Sequence, residues 1–495
     1  MPLAQEIKLR PRDKDILRRL AGELAGIASL PVHKEKALLW QKLNDRQSVR
    51  PMVWINEVCW HEMNVNDELT LSAEHPWARE QEQELRRTLY QWWHLPGDMI
   101  VNDFLVCPLA IHSTDFGIME DVDVVKTDDA NDIVSRHFNV QIQDYADLDK
   151  IQMPVVTHNR EATEICYQTM CEVYGGILPV KKQGQTHIWF TPWDYLIRWW
   201  GIEQAMIDFI ERPDLVHAAV ERMVDAWLVE LHQFEQQNLL SLDCTNTRIG
   251  SGGYGYTSEL PGGASSNYQH GRDEFPLPTT KEWGEGQGEG NLKRVVAEFS
   301  SPSPQPSPRS SLAGRGSRTA RLGSTGNMRS SLGGAFDPGH VRPHNMWGCS
   351  NAQIFSEVSP AMHWEFAVKH DLRWLSRWGL TYYGCCEPLD QKIEILRRIP
   401  NLRKISASPW CNVERLAEKV GADYILSRKP NPAVLAGDVW HPEWARDDMR
   451  SFLEKAGRPC HVELIMKDIS TVRYQPQRLW EWATIAMEVA EEFAK

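Results

Sequence analysis

From Pro51 onward the chain alternates short apolar runs with longer stretches of helical periodicity. No other feature of the sequence constrains the fold as strongly. Strand, helix and strand in succession make a parallel pair with a crossover, and a parallel sheet needs helices over its faces. Eight candidate strands lie near Met52–Asn56, Met99–Val106, Thr186–Phe190, Leu240–Asp243, Leu380–Tyr383, Lys404–Ala407, Tyr424–Leu426 and Val462–Met466. A helix beginning at Pro213 carries the stripe Leu215, Ala219, Val220, Met223, Trp227, Leu231 and Phe234. Another, from about Pro476 to Ala494, carries Leu479, Trp482, Ile485, Val489 and Phe493.

Eight such units predict an α/β fold, a (β/α)8 or TIM barrel spanning residues 51–495. No G-x-G-x-x-G follows the first strand, which argues against a dinucleotide-binding sheet. Residues 1–50 are expected to form an N-terminal helical cap, with Ile16, Leu20, Leu24 and Ile27 at helical spacing between Arg12 and Ser29. Residues 264–342, after the fourth strand, read as a low-complexity insertion. Its core, 302–339, is Ser, Pro, Gly and Arg with almost no large apolar side chain. Such a stretch buries too little surface to offset its ordering entropy, so it is expected to be disordered.

Composition narrows the function classes. Charged residues make up 24% and hydrophobic residues 42%, a globular balance. The net charge of −13 repels phosphate backbones, so nucleic acid is not an expected partner. No run reaches the roughly 18 apolar residues that a membrane span needs. The N-terminal charges do not fit a signal peptide. Ten cysteines are too sparse for a disulfide scaffold of this length, so reduced thiols and a cytoplasmic location are the expectation.

In a (β/α)8 barrel the chemistry sits at the C-terminal strand ends. There the first strand offers Asn56 and Glu57, the latter a candidate base or ligand. Asp103 is a charge within an apolar run, costly to bury unless used. Tyr195 follows the third strand as a candidate donor to an anion. After the fourth come Arg248 and the glycines of Gly250-Ser251-Gly252-Gly253, a candidate anion cradle without the P-loop ending. Arg428, Lys429, Lys467 and Asp468 place cations and a carboxylate at the mouth, which suits an anionic small molecule. The densest cluster is Tyr383-Gly384-Cys385-Cys386-Glu387. Thiols with a carboxylate suggest a soft-metal site, with Cys385, Cys386 and Glu387 as candidate ligands and Cys349 and Cys411 as thiols that could complete the set; pocket-lining thiols are the alternative. Successive side chains of a strand point opposite ways, so one of Cys385 and Cys386 is expected to face the pocket. Trp347-Gly348-Cys349-Ser350 is expected to return the chain to the mouth after the insertion.

These motifs resemble the uroporphyrinogen decarboxylase superfamily, which includes cobalamin-dependent methyltransferases. The resemblance runs from about Arg50 to the C-terminus without the insertion. Asn102-Asp103-Phe104-Leu105-Val106, then Pro108, is similar to a Ser-Asp-Ile-Leu segment and puts Asp103 on the decarboxylase's catalytic aspartate; Phe190 to Tyr195 is similar to the segment with its tyrosine. Two departures stand out. Asn56-Glu57-Val58-Cys59-Trp60 replaces an Arg-Gln-Ala-Gly-Arg motif that grips tetrapyrrole carboxylates, and Lys467-Asp468 stands where a histidine is expected. In the methyltransferase branch, Cys385 matches a zinc-binding His-x-Cys, with Tyr383 in place of the histidine; Cys460 lies before the last strand rather than after it.

The resemblance therefore implies, first, a methyl-transfer enzyme acting on a small substrate or a corrinoid-bound methyl group, zinc-assisted, with Asp103 and Glu57 handling protons. No corrinoid-binding Asp-x-His-x-x-Gly motif occurs, so the corrinoid would arrive on a partner protein. A metal-free porphyrinogen decarboxylase is the second implication and an inactive barrel serving as a binding module the third. A homodimer is left open. Deletion of 302–339 is expected to leave the melting temperature within a few degrees of the full chain; a larger fall in a thermal scan would show that the segment packs.

Overall fold

The computed structural model describes residues 7–125, 135–263 and 336–494. Apart from Phe336 these belong to one compact unit, Met1–Gly271 with Asp337–Lys495; a second unit, Arg272–Phe336, lies otherwise outside the described residues. So does the expected insertion from 264 to 335. By Val341 the chain is buried again.

Twelve strands are described. Six of them form one parallel sheet: β1 (Met52–Ile55), β8 (Trp347–Ser350), β9 (Leu380–Tyr383), β10 (Leu402–Ala407), β11 (Ile425–Arg428) and β12 (His461–Met466), in the order β1-β12-β11-β10-β9-β8. Register runs Met52 to Glu463, Ile425 to His461, Lys404 to Ile425 and Trp347 to Leu380. Every residue of β8 to β12 is buried, as in sheets covered on both faces. The remaining strands make three pairs: β2 (Leu105–Pro108) with β7 (Val180–Gln183), β3 (Ile111–Ser113) with β6 (Val156–His158), and β4 (Val122–Val125) with β5 (Ser135–Phe138).

Three of the eight expected strands take another form. Of Met99–Val106 only the end is strand, and it pairs with β7 rather than β1. Thr186–Phe190 and Leu240–Asp243 carry no ladder, only a parallel bridge between Gln185 and Leu240. The physical reason is visible beside the edge strands. Asp98 meets β1 with one backbone bond, its N–H donating to the Val53 carbonyl at 2.7 Å, and with its carboxylate, which accepts from the Val53 N–H at 2.8 Å and from Arg50 at 2.6 and 2.8 Å. The Asp243 side chain likewise meets β8, accepting from the Trp347 N–H at 2.8 Å. Conversely, β8 is a full strand where only a return to the mouth was expected. Its Gly348 has no side chain because the Trp378 ring lies against it; a Cβ would sit 2.3 Å from that ring.

Helix α1 (Pro11–Ala28) forms where the spacing predicts one, and a second helix, α2 (Val32–Asn44), follows it with a different task. The α1 stripe packs against Pro76–His94 and Arg160–Tyr174. It is α2 that sends a side chain to the sheet: Trp40 donates to the Asp98 carbonyl at 2.9 Å and its ring lies 5.3 Å from that of Tyr254. The stripe of Pro213–Gln236 is buried throughout, as are Leu479, Trp482, Ile485 and Val489 of the last helix, Gln477–Glu492. No helix among the described residues is long and apolar enough to cross a membrane.

One face of the sheet is polar, although it is buried. Lys404 of β10 and Glu463 of β12, both 0% exposed, meet at 2.9 Å across β11. The loop after Arg248 lies on this pair: the Gly253 N–H donates to Glu463 at 3.0 Å, and Lys404 donates to the Tyr254 carbonyl. That close approach explains the glycines better than an anion cradle does. A Cβ at Gly252 would stand 2.4 Å from Glu463 Oε1, and one at Gly250, whose φ is +56°, 2.4 Å from the Tyr382 ring. Removing one partner of a buried pair leaves an uncompensated charge, so Lys404→Met is expected to cost about 3–5 kcal/mol of unfolding free energy. The double variant Lys404→Met/Glu463→Leu should recover most of it, which urea titration of the single and double variants will read.

Candidate active site

The C-terminal ends of β1, β9 and β12 converge. Just beyond β1 stand Asn56 and Glu57, beyond β9 Gly384-Cys385-Cys386, beyond β12 Lys467 and Asp468. Glu57, Cys385, Cys386, Lys467 and Asp468 line a cleft of about 540 Å³ with His187, Trp189, Thr247, Arg248, Gly250 and Gln353. A hollow of about 660 Å³ at the opposite strand ends, around Val49, Cys460 and Phe493, gathers no comparable chemistry.

The turn after β9 decides where the thiols point. Gly384 takes φ +101°, and a Cβ there would strike Leu389 at 2.5 Å. The chain has left the strand by Cys385, so strand alternation no longer applies and both thiols reach the cleft, Sγ to Sγ 3.6 Å. Glu387 holds this turn. It is wholly buried and accepts the N–H groups of Cys385 at 2.9 Å and Ala352 at 3.1 Å.

Cys385 is the thiol of the pair that lies beside a cation. The Cys386 thiol, sulfur to sulfur 3.6 Å, and the Lys467 ammonium, 3.3 Å from the Cys385 sulfur, together hold the Cys385 pKa below the usual thiol value against burial. The same contact between the thiols, with burial, pushes the Cys386 pKa up. Asp468 Oδ2 lies 2.9 Å from Lys467 Nζ and 3.6 Å from Cys386 Sγ. Burial alone would raise Glu57, but Arg248 at 2.6 Å and Lys467 at 3.8 Å outweigh it and hold the carboxyl at about 2. Beneath the cleft, burial drags Lys429 down to about 7, while its Nζ donates to Tyr382 Oη at 2.8 Å and to Ser427 Oγ at 2.7 Å.

Several expected residues stand elsewhere. Asp103 is exposed and does not line the cleft, because its segment is not a buried strand. Tyr195 packs edge-on against Phe116 and Trp227, outside the cleft lining. Arg428 turns away to Asp448 at 2.9 Å and the Ser408 carbonyl at 3.0 Å. The zinc set does not assemble. Both Glu387 oxygens are taken by backbone N–H groups, the Cys349 thiol sits 3.5 Å from His187 and from the Ile188 carbonyl, and an ammonium occupies the space beside Cys385. Among the described residues no group of three His, Cys, Asp or Glu side chains is arranged to hold a metal. Cys411 is buried and its thiol pushed up to about 11 by that burial.

Sequence reasoning missed two residues. His187 accepts the Gly250 N–H at 3.1 Å and is held neutral, at about 4, by burial and by Arg248. Its only signal was a histidine in an otherwise apolar candidate strand. Asp194 is pushed up to about 6 by burial and by Glu387, with Gln353 Nε2 at 3.4 Å. Asn56 and Asn351, 7% and 1% exposed, have no hydrogen-bond partner for either side-chain polar atom.

No protein-family model matches the sequence, and no curated protein matches it. Among solved structures the chain is similar to a methyltransferase from Methanosarcina mazei, with 9% identity over 92% of this chain and 98% of that one and a TM-score of 0.44. A likeness at that level says nothing about chemistry.

The Lys467 contact has a measurable consequence. A thiolate reacts with iodoacetamide and a thiol does not, so alkylation of Cys385 should persist to lower pH than for an ordinary cysteine. Lys467→Met removes a cation that favours the thiolate, so the pH midpoint of Cys385 alkylation should move up by about one unit. An unchanged midpoint, read by peptide mass mapping across a pH series, would show that Lys467 does not act on this sulfur.

Proposed function

We propose that the chain is a (β/α)8-barrel enzyme of the uroporphyrinogen decarboxylase-like superfamily that transfers a methyl group to a small thiol. Two observations support the barrel. Segments beside both edge strands continue the sheet through side-chain bonds, and the polar face carrying Lys404, Glu463 and Tyr382 is buried.

The observation that carries the chemistry is the Cys385–Lys467 contact at 3.3 Å within the cleft. An acceptor thiol bound beside Lys467 becomes a better acid, because the ammonium stabilises its thiolate. Cys385 takes the acceptor's proton as a general base. The acceptor sulfur then attacks the methyl carbon; the new S–C bond forms from its lone pair, and the electron pair of the old bond leaves with the donor. Cys385 returns its proton to solvent. The cations thus do the work first expected of zinc.

Charge also selects the donor. Glu57, Asp468 and the Cys385 thiolate outnumber Arg248 and Lys467, so the cleft favours a cationic donor such as a methylsulfonium. The same balance repels a polycarboxylate porphyrinogen, and Asp103 is not at hand to protonate one. A methylcorrinoid delivered by a partner protein is the alternative donor.

The test supplies 2-mercaptoethanol with trimethylsulfonium or with methylcob(III)alamin and measures the methyl thioether formed. Wild type should accelerate the reaction with one donor, and Cys385→Ala should lose about 10²–10⁴-fold of that acceleration, as for loss of a general base. No rate above the uncatalysed background with either donor would end the proposal.

A further inference from the structure

Adjacent cysteines that both face one cleft are unusual, and the methyl-transfer chemistry uses only one of them. We propose that Cys385 and Cys386 form a reversible two-electron redox site that hydroperoxides oxidise to a vicinal disulfide. The sulfurs are already 3.6 Å apart, and both line the cleft, where a molecule as small as a hydroperoxide reaches them. Their neighbours divide the labour. Lys467 Nζ lies 3.3 Å from Cys385 Sγ, and Asp468 Oδ2 lies 3.6 Å from Cys386 Sγ.

The steps balance. The Cys385 thiolate attacks one peroxide oxygen; the S–O bond forms, the O–O bond breaks, and hydroxide leaves beside the Lys467 ammonium, which can protonate it. Sulfur has lost two electrons to the peroxide, and Cys385 is a sulfenic acid. Cys386 then attacks that sulfur, the S–S bond forms, and the S–O bond breaks. The departing hydroxide leaves as water with the Cys386 proton, relayed by Asp468. Lys467 regains from solvent the proton that Cys385 gave up on ionising, so overall two thiols and one hydrogen peroxide give one disulfide and two waters.

Reversibility follows from adjacency. Cα atoms joined by a trans peptide are about 3.8 Å apart, closer than the roughly 4.4–6.8 Å across an ordinary disulfide. A bridge closed over one peptide is therefore strained, and strained bridges are the readily reduced, regulatory kind. As a control on the thiolate base the inference rests on the methyl-transfer reading, because the bridge consumes the sulfur that takes the acceptor's proton. The redox site itself does not depend on that reading, and mass spectrometry detects it without any methyl donor.

Full-length protein is treated with hydrogen peroxide, and both the intact mass and the tryptic peptide Trp378–Lys392, which holds both cysteines, are examined. Wild type should lose two hydrogens, resist alkylation at Cys385 and Cys386, and regain both thiols with dithiothreitol. Cys386→Ser should stop at the sulfenic acid, giving a dimedone adduct on Cys385. Lys467→Met should slow oxidation about tenfold, the cost of one unit in thiol pKa. The proposal is overturned if wild type keeps both thiols alkylatable, if it accumulates a dimedone adduct with Cys386 still reduced, or if Cys385 bridges to another cysteine. These readings need no variant, so a poorly folding substitution does not obscure them. If the bridge forms but thiol methylation continues at an unchanged rate, the redox site stands and the role of Cys385 in methyl transfer falls. If methylation runs and no bridge forms, the reverse holds.

Discussion

Glu463 lies in the middle of a parallel sheet with no access to water, and Lys404 is the counter-charge that lets it remain ionised there. An isolated charge in such a place would neutralise instead. Much of the surrounding architecture serves this pair. The glycine loop brings its backbone N–H to Glu463, and Trp40 of α2 lies under Lys404 with its ring centre 5.8 Å from Nζ. Tyr382, Ser427 and Lys429 extend the polar layer upward to the floor of the cleft. Long side chains reaching across a sheet define one arrangement of its strands, because a slip in register would separate the charges.

The cleft uses the same physics near the surface with the opposite balance. Below, Lys404 and Glu463 match each other; above, two cations serve two carboxylates and a thiol whose ionised form they favour. Ionisation there would place negative charge on sulfur, the softest nucleophile of the set. Lys467 touches Cys385, Glu57 and Asp468, which all favour its ammonium form and raise its pKa despite burial.

The helical stripes and the strands β1, β9, β10, β11 and β12 were legible because their apolar periods are strong and local. The convergence of Glu57, Cys385, Lys467 and Asp468 was legible because a parallel α/β topology sends strand ends to one side. What local pattern could not reveal were events decided by single side chains. Asp98 and Asp243 satisfy edge-strand N–H groups in place of backbone, which no period reports. Trp-Gly-Cys-Ser lacks the β-branched residues of a strand, yet β8 forms because neighbouring Trp378 fills the space over its glycine. The Cys-Cys-Glu run looked like a ligand set because composition cannot show that Glu387 faces backbone amides. Asp103 looked buried because its segment reads as apolar, whereas the chain turns it outward.

The carboxylates of Asp98 and Asp243 also bear on how this protein behaves among its own copies. An open parallel sheet ends in rows of unpaired amide groups, which recruit strands from other molecules. Here one N–H at each end is already taken: Val53 donates to the Asp98 side chain, whose residue returns its own N–H to the Val53 carbonyl at 2.7 Å, and Trp347 donates to Asp243. A foreign strand arriving at either edge would meet a side chain already bonded to its target. At those two positions the edge amide is satisfied within the chain and offers a foreign strand no free donor.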